Sequence, residues 1–140
     1  MTDNPYKNKV EITVRAVIIC GDEVLLCKYK SRNYLFFPGG HINFSEKARD
    51  ALNRELREEA GISFKKWTFI GVAENIYQED FQKHHEIVLA FVAKTQWKKI
   101  KDQEDDLEFF WKNKSEIAKE KILPVALAKM LPKWLAEFKS

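Results

Sequence analysis

The stretch that decides the fold of this chain is residues 40–62, GHINFSEKARDALNRELREEAGI. Glycines lie near both ends of it, and four glutamates and an arginine are spaced between them. The fixed positions are Gly40, Glu46, Arg54, Glu55, Leu56, Glu58, Glu59, Gly61 and Ile62. Carboxylates and a close backbone at this spacing can hold divalent cations against a phosphate chain.

A helix predicted over residues 46–60 turns some of these carboxylates inward. At roughly 100° per residue, one face of this helix carries an apolar stripe. The stripe consists of Ala48, Ala51, Leu52 and Leu56. Glu55 and Glu59 project into the middle of the stripe, and Glu58 lies at its edge. A carboxylate that faces the body of a fold without a partner is energetically expensive.

A solvated, glutamate-rich helix face is the simpler explanation, and the positions of the charges disfavour it. Glu55, Glu58 and Glu59 repel one another, by about 0.2–0.5 kcal/mol per neighbouring pair on an exposed helix. They also lie in the last turns, where the helix dipole disfavours each anion by roughly 0.3–1 kcal/mol. A bound dication would remove both costs. Because oxygen ligands select a hard ion, we predict Mg²⁺ or Mn²⁺ as the cofactor.

This pattern resembles the Nudix box, the signature of the Nudix hydrolases, and no signature position departs from it. The resemblance extends from residue 10 to about residue 111. It implies an α/β/α sandwich with a mixed sheet between helices. It also implies hydrolysis of a pyrophosphate bond by attack of a metal-activated water on phosphorus. The implied substrate is a small molecule, either a nucleoside triphosphate or a nucleoside diphosphate linked to another moiety.

The resemblance also implies roles for individual residues. Arg54 and Glu46 would orient the ligating carboxylates through charge-assisted hydrogen bonds. The first choice for the base is Glu55, and Glu104 is the next. The spacing does not choose between Glu104 and Asp105 for an acidic ligand near the last strand. The implied metal ligands are the main-chain carbonyl of Gly40 and the side chains of Glu55, Glu58, Glu59 and Glu104.

Substrate contacts outside the box are predicted from residue type and position. Arginines could bind distal phosphates, aromatic rings could stack on a base, and a glycine lets the backbone approach a metal. Surface solvation and core packing are the alternative roles for these residues. Because adjacent strand residues face opposite sides, His84 and His85 are not expected to share a zinc ion. The candidate contacts are Arg15, Arg32, Gly39, Tyr34, Tyr77 and His85.

Alternation and turn residues predict the remaining elements. The expected strands cover residues 10–19, 23–29, 34–37, 66–75, 85–93 and 107–111. The order of elements indicates an α/β fold with a mixed sheet between helices. Strands come first, one helix lies within the set of strands, and another helix lies at the end.

The helix ends and connections are predicted from capping and turn chemistry. Ser45 is the expected N-cap of the box helix, and the Pro-Gly-Gly sequence at 38–40 is expected to end the third strand. Residues 76–84 are expected to join two long strands as a loop. A short helix is predicted over 116–120. A last helix is predicted from residue 124 to about 138, kinked or interrupted at its internal proline.

Composition limits the other classes of function. The 140 residues carry a net charge of +3 and are 45% hydrophobic, which fits one domain over residues 1–140. The sequence predicts neither a signal peptide nor a membrane segment, and two cysteines fit reduced thiols, so we expect a cytoplasmic protein without a membrane partner. The segment 98–101 is the main basic cluster, which is too thin to favour nucleic acid. A homodimer is compatible with the sequence.

Three alternative functions keep the same fold. A Nudix-fold sensor would bind a nucleotide or ADP-ribose without hydrolysis, but such modules commonly lose box glutamates, and this chain keeps all four. Pyrophosphohydrolysis at RNA 5′ ends would need a basic groove. Isomerisation of an isoprenoid diphosphate is disfavoured by the short chain and by the absence of a cysteine near the box.

Overall fold

The structure is a computed structural model that describes residues 5–100 and 105–138. Its strands are β1 (Val10–Cys20), β2 (Glu23–Tyr29), β3 (Leu35–Phe36), β4 (Gly39–His41), β5 (Thr68–Glu79), β6 (Gln82–Lys94), β7 (Leu107–Asn113) and β8 (Ile122–Leu123). Its α-helices are α1 (Ala48–Ala60) and α2 (Val125–Glu137).

Strand β1 is the centre of a mixed sheet. Its alternating Val, Ile and Thr residues suit a strand with both faces covered. It pairs in parallel with β6 and antiparallel with β2 and β4. Strand β5 extends the sheet beyond β6, and β7 pairs with β2. The short strands β3 and β8 pair in parallel.

The two faces of the sheet are covered by different helices. On one face, residues of β1 pack with the apolar stripe of α1, namely Val14, Ala16 and Ile18 with Ala51, Leu52 and Leu56. On the other face, Val17 and Ile19 join a core that includes Leu127 and Leu131 of α2. Burying each leucine of this kind stabilises the fold by about 1.5–3 kcal/mol. The α/β arrangement with a mixed sheet between helices confirms the predicted fold class.

The predicted start of the box helix is wrong by two residues. Ser45 has a φ of 65°, which is left-handed backbone, and the helix instead begins after Lys47 as its N-cap. The preceding turn is held by Glu46, whose Oε1 accepts a hydrogen bond from the Asn43 amide at 3.0 Å. Gly61 ends the helix with a φ of 68°, as predicted.

The loop predicted over residues 76–84 is also wrong. Strands β5 and β6 continue through most of it and form a long hairpin with Glu79 paired to Gln82. The two turn residues, Asp80 and Phe81, have φ values of 53° and 64°. Positive φ at both positions is the condition for the tight hairpin turn that matches strand twist. Because neither residue is glycine, the usual sequence signal for this turn is absent.

Three smaller predictions also need correction. The third strand ends at Phe36, before the Pro-Gly-Gly sequence, but the two glycines then form part of a further strand, β4, that was not predicted. The short helix predicted over 116–120 is replaced by a 3₁₀ turn, Lys114–Glu116, whose preceding residue Asn113 accepts a hydrogen bond from the Ser115 amide. Helix α2 continues through Pro132, with Leu127 and Leu131 buried before it. The burial of these leucines offsets the free energy lost with the backbone hydrogen bond that the proline cannot donate.

Cys20 and Cys27 are not joined in a disulfide, and the Cys27 Sγ donates a hydrogen bond to the Phe36 carbonyl at 3.4 Å. Over the part of the chain that the structure describes, no helix has the length and apolar character to cross a membrane.

Candidate active site

Two adjacent glycines bring the backbone of β4 against the box carboxylates. Gly39 lies opposite Arg15 of β1, and its N–H donates a hydrogen bond to Glu59 Oε1 at 3.2 Å. The φ of Gly39 is 146°, and a Cβ there would lie 2.0 Å from the carbonyl oxygen of Val14. Both the backbone conformation and the available space therefore require glycine at this position.

Gly40 makes room for the carboxylate of Glu55. A Cβ at Gly40 would lie 2.6 Å from the carboxyl carbon of Glu55 and from its Oε1. Burial raises the pKa of Glu55, and the hydrogen bond and charge of Arg54 oppose that rise. The Glu55 carboxylate therefore contacts the backbone at Gly40 and is partly shielded from water.

Arg54 forms hydrogen bonds both to the loop before helix α1 and to a carboxylate on that helix. Its Nε donates to Glu46 Oε2 at 2.8 Å and its Nη2 donates to Glu46 Oε1 at 3.0 Å, a two-point contact. Its Nη1 donates to Glu55 Oε1 at 2.9 Å, and its Nη2 also donates to the His41 carbonyl at 3.0 Å.

The same contacts shift the pKa values of both partners. The hydrogen bond from Arg54 is the largest cause that lowers the pKa of Glu46 to about 2. The hydrogen bond to Glu46 raises the pKa of Arg54. Arg54 therefore stays charged and keeps Glu46 ionised, and the same guanidinium contacts Glu55.

The structure brings some of the predicted ligands together and leaves others apart. Glu59 is 6% exposed and bonded to Gly39. Glu58 is turned outward, with 57% of its side chain exposed and an oxygen 3.7 Å from Arg54 Nη1. Glu104 lies outside the described residues, and the alternative Asp105 is exposed. Within residues 5–100 and 105–138, no three acidic, histidine or cysteine side chains form a complete metal cage.

The donors at this site nevertheless fit a hard divalent ion. The box glutamates and the Gly40 carbonyl offer oxygen atoms, the donors that Mg²⁺ and Mn²⁺ prefer. The absence of a side chain at Gly40 opens the space that the Glu55 carboxylate occupies. Arg54 and the Gly39 amide orient Glu55 and Glu59 from behind, as supporting groups do at metal sites.

A cleft of about 870 Å³ opens beside the glycines and Glu59, between the sheet and the start of α2. A cavity of this size is typical of small-molecule sites. Five of the six predicted substrate contacts line it, namely Arg15, Arg32, Gly39, Tyr34 and Tyr77.

The sixth predicted contact, His85, does not reach this cleft. Successive residues of a strand face opposite sides of the sheet, and the cleft lies on the side of Glu86. His85 instead forms an ion pair with Glu74, 2.8 Å from its Nε2. As predicted, His84 faces the other way, toward Glu11.

Arg15 lies beside the glycines within the cleft. Its Nη1 donates a hydrogen bond to the Phe37 carbonyl at 2.9 Å. Its Nε is buried and has no hydrogen-bond partner among the described residues. A buried guanidinium nitrogen without a partner is costly, and an anionic ligand would satisfy it.

Two buried polar residues in the cleft are absent from the predicted substrate contacts. Asn75 is 9% exposed and Glu86 is 4% exposed, and the Asn75 amide donates to Glu86 Oε1 at 3.1 Å. The alternation of β6 carried a signal for Glu86, because the residue shares a face with the buried apolar residues Val88 and Ala90.

A second buried carboxylate, Glu11, lies next to Glu86 in the β1–β6 pairing. His41 Nε2 lies 2.8 Å from Glu11 Oε1, and His84 Nδ1 lies 3.0 Å from Glu11 Oε2. Tyr77 stacks on His84 with ring centres 4.9 Å apart. Burial, followed by the charges of Glu86 and Glu11, raises the pKa of Tyr77, so the phenol stays neutral. The cleft therefore combines an aromatic ring, Tyr77, with a buried carboxylate, Glu86.

Comparison with known proteins agrees with this geometry. The 8-oxo-dGTP diphosphatase of Buchnera aphidicola subsp. Acyrthosiphon pisum (strain APS) is 38% identical over 85 residues, which cover 61% of this chain and 64% of that protein. The RNA pyrophosphohydrolase of Ruthia magnifica subsp. Calyptogena magnifica is 35% identical over 71 residues, covering 49% of this chain and 40% of that protein. The chain thus matches less than two thirds of the length of either relative.

A solved structure shares the fold across almost the whole chain. The MutT protein from Methanosarcina mazei Go1 superposes with a TM-score of 0.72 at 22% identity, covering 94% of this chain and 96% of that one. The family model described as the NUDIX domain matches residues 10–134. This match spans most of the 140 residues, and the chain therefore belongs to the NUDIX domain family.

Proposed function

We propose that this chain hydrolyses a pyrophosphate bond in a nucleoside triphosphate or in a nucleoside diphosphate linked to another moiety. One observation carries the proposal: Glu55 and Glu59 are turned toward Gly40 and Gly39 beside a cleft of about 870 Å³. Membership of the NUDIX family supports it, and so do the names of two relatives, a diphosphatase and a pyrophosphohydrolase. The two cysteines, which form no disulfide with each other, fit a cytoplasmic pool of nucleotides as the proposed source of substrate.

Hydrolases of this family generally need a divalent metal. In the proposal, Mg²⁺ or Mn²⁺ is held by the Gly40 carbonyl, Glu55, Glu58, Glu59 and Glu104. The ion supplies a lower pKa for a coordinated water and shields the charge of the diphosphate. Arg54 and Glu46 keep the ligating carboxylates in place through the contacts described above.

The chemistry that we assign to the chain itself is proton removal and substrate orientation. The oxygen of a water forms a bond to one phosphorus, the bridging P–O bond breaks, and a phosphate or nucleotide leaves. Glu55 is the proposed acceptor of the water proton, with Glu104 as the second candidate. Burial raises the pKa of Glu55, which makes its carboxylate a stronger base than an exposed glutamate.

We assign the cleft cations and aromatic rings to substrate binding. Arg15, whose buried Nε lacks a partner among the described residues, lies beside Gly39 and is suited to a phosphate. Arg32 lies at the exposed rim. Tyr34 and Tyr77 offer ring faces to a base.

A second candidate function, removal of pyrophosphate from RNA 5′ ends, is favoured by one observation. A relative named RNA pyrophosphohydrolase is 35% identical over 71 residues. The basic segment 98–101 offers this function little support within the described residues, because Lys98 is paired with Glu23. A triphosphorylated oligoribonucleotide therefore belongs among the compounds to be tested.

The test is a screen of nucleotide pyrophosphates and a 5′-triphosphorylated oligoribonucleotide with Mg²⁺ and with Mn²⁺, followed by product identification. We expect the wild type to hydrolyse at least one compound. The Glu58→Gln variant should lose nearly all turnover, on the order of 10²-fold or more. Asp50→Asn is the matched control, since it removes one exposed charge from the same helix and should keep wild-type rates.

Two results would contradict the proposal. Equal rates for wild type and Glu58→Gln would separate the activity from the box carboxylates. Tight nucleotide binding without turnover by the wild type would instead identify a sensor.

A further inference from the structure

Glu86 is a buried carboxylate for which the proposed hydrolysis has no use. It lines the cleft and is 4% exposed. Its partners are neutral: Asn75 Nδ2 donates to one oxygen at 3.1 Å, and Thr13 Oγ1 lies 3.5 Å from the other. No ion pair among the described residues includes Glu86. A buried carboxylate has room for about four hydrogen bonds, so this one still lacks donors.

Asn75 holds Glu86 in a fixed orientation. The Oδ1 of Asn75 accepts a hydrogen bond from the Ala126 amide at the start of α2, 3.3 Å away. Its Nδ2 therefore faces Glu86. Among the described residues, these two contacts use one N–H and the oxygen of the amide, which leaves its second N–H for a ligand. The wall of the cleft thus offers a carboxylate acceptor beside an amide donor.

The position of Glu86 along the sheet suits the far end of a nucleotide. Gly39, at the carboxylate end, lies opposite Arg15 of β1, whereas Glu86 lies opposite Glu11. Arg15 and Glu11 are four residues apart, so the two ends are separated by about 13 Å along the strand. That span is comparable to the length of a nucleotide from its phosphates to the far edge of its base. Tyr77, two strand positions from Asn75 on the same face, offers a ring nearby.

We propose that Glu86 and Asn75 read the hydrogen-bonding edge of a guanine-type base. The carboxylate of Glu86 accepts from the ring N1–H and from the 2-amino group, and the free Asn75 N–H donates to the 6-keto oxygen. The other bases do not match this pattern of donors and acceptors. Adenine presents an acceptor at N1, cytosine lacks the ring N–H, and uracil lacks the amino group. Guanine and its 8-oxo form share the edge with two adjacent donors, so the inference concerns both of them.

The role of Glu86 and Asn75 rests on the proposed function in one respect only, the position of the substrate phosphates. The first experiment therefore measures binding, without turnover. Wild-type protein is titrated calorimetrically with GMP, IMP and AMP in EDTA, because IMP lacks only the 2-amino group and AMP also lacks the N1–H. We expect GMP to bind at least about 10-fold more tightly than IMP or AMP, as for a lost bidentate contact.

The deciding variant is Glu86→Gln, which preserves shape and replaces an acceptor oxygen with a donor. Its preference for GMP over AMP should fall to within about threefold, because its amide N–H would face the N1–H or amino group of guanine. Glu79→Gln is the matched control, since it removes the same charge from another residue that lines the cleft. The control should keep the wild-type preference. Thermal unfolding of both variants checks that the fold is retained.

Turnover provides the second measurement. For wild type, kcat/KM with GTP should exceed that with ITP and ATP, and Glu86→Gln should remove the advantage while leaving the ATP value nearly unchanged. A variant that loses GTP and ATP hydrolysis equally, or a wild type that binds GMP and AMP alike, overturns the assignment of Glu86. If no nucleotide is hydrolysed but GMP is preferred, the proposed hydrolysis fails and the base-reading role stands.

Discussion

The two ends of the cleft are built in different ways. At the carboxylate end, the decisive contacts connect residues that are close in sequence, such as Arg54 with Glu46, eight positions apart. At the opposite end, they connect distant segments: Asn75 with Ala126, 51 positions apart, and Glu11 with His84, 73 positions apart. The first end rests mainly on α1 and the loop before it, placed against the two glycines of β4, and the second requires β1, β5, β6 and α2 together.

This difference separates the proposed chemistry from the proposed recognition. A helix and its preceding loop can present charged groups in a fixed pattern wherever the helix is docked. A recognition surface shared by four elements changes whenever any one of them shifts. Substitutions at the carboxylate end should therefore reduce turnover with every substrate, whereas those at the opposite end should alter stability and substrate preference.

Among substitutions of residues that support the two ends, the largest effect is expected from Arg54→Lys at the carboxylate end. Lysine keeps the charge but cannot make the two-point contact with Glu46 while also reaching Glu55. Turnover should fall about 10–100-fold for all substrates, the usual cost of losing a group that orients metal ligands. Steady-state kinetics with several nucleotides measure this. Arg57→Lys is the control, because Arg57 is exposed on the same helix. A loss of turnover confined to one substrate would contradict the proposed division between the two ends of the cleft.

A smaller effect is expected from Asn75→Ala at the opposite end. The change leaves the Ala126 amide and Glu86 without their partner, which should lower the free energy of unfolding by about 1–2 kcal/mol. KM should rise more than kcat falls. Urea denaturation and steady-state kinetics report the two quantities, with exposed Thr68→Ala on the same strand as the control. If kcat collapsed while stability stayed unchanged, Asn75 would belong with the chemistry instead.

The smallest effect is a pH dependence at Glu46. Its pKa is lowered from 4.5 to about 2 by the hydrogen bond from Arg54, so this carboxylate stabilises the folded state above pH 4.5. The contribution is lost as the pH falls from 4.5 toward 2. Wild type should be slightly more stable than Glu46→Gln at neutral pH, and the difference should shrink in that acid window. Urea midpoints across pH test this, with Glu137→Gln as the control; a constant difference would show that the ion pair adds nothing.

Much of the fold followed from local pattern. Alternation located β1 and β2, and the apolar stripe of α1 is buried where periodicity placed it. The errors occurred where a local signal was weak or misleading. Ser45 has the side chain of a helix cap but left-handed backbone, and the Asp80–Phe81 turn lacks glycine. In both places the register of the surrounding contacts decided the conformation.

The candidate site divides in the same way. Periodicity alone predicted that Glu59 faces inward, because its place on the helix is a local property. Glu58 extends further into solvent than its position beside the stripe suggested, since 57% of its side chain is exposed. Asn75 and the contact between Asn75 and Glu86 were not predicted, and the alternation of β6 was the one local signal for the burial of Glu86. Only the pairing of β5, β6 and β1 buries it.

The sequence by itself determined the carboxylate pattern of the candidate site, because a helix repeats every 3.6 residues and fixes which carboxylates share a side. It also determined the mixed α/β class through its order of elements. The tertiary structure decided what the cleft can recognise. The orientation of Asn75 and its contact with Glu86 depend on segments far apart in the chain, and no local periodicity encodes those contacts.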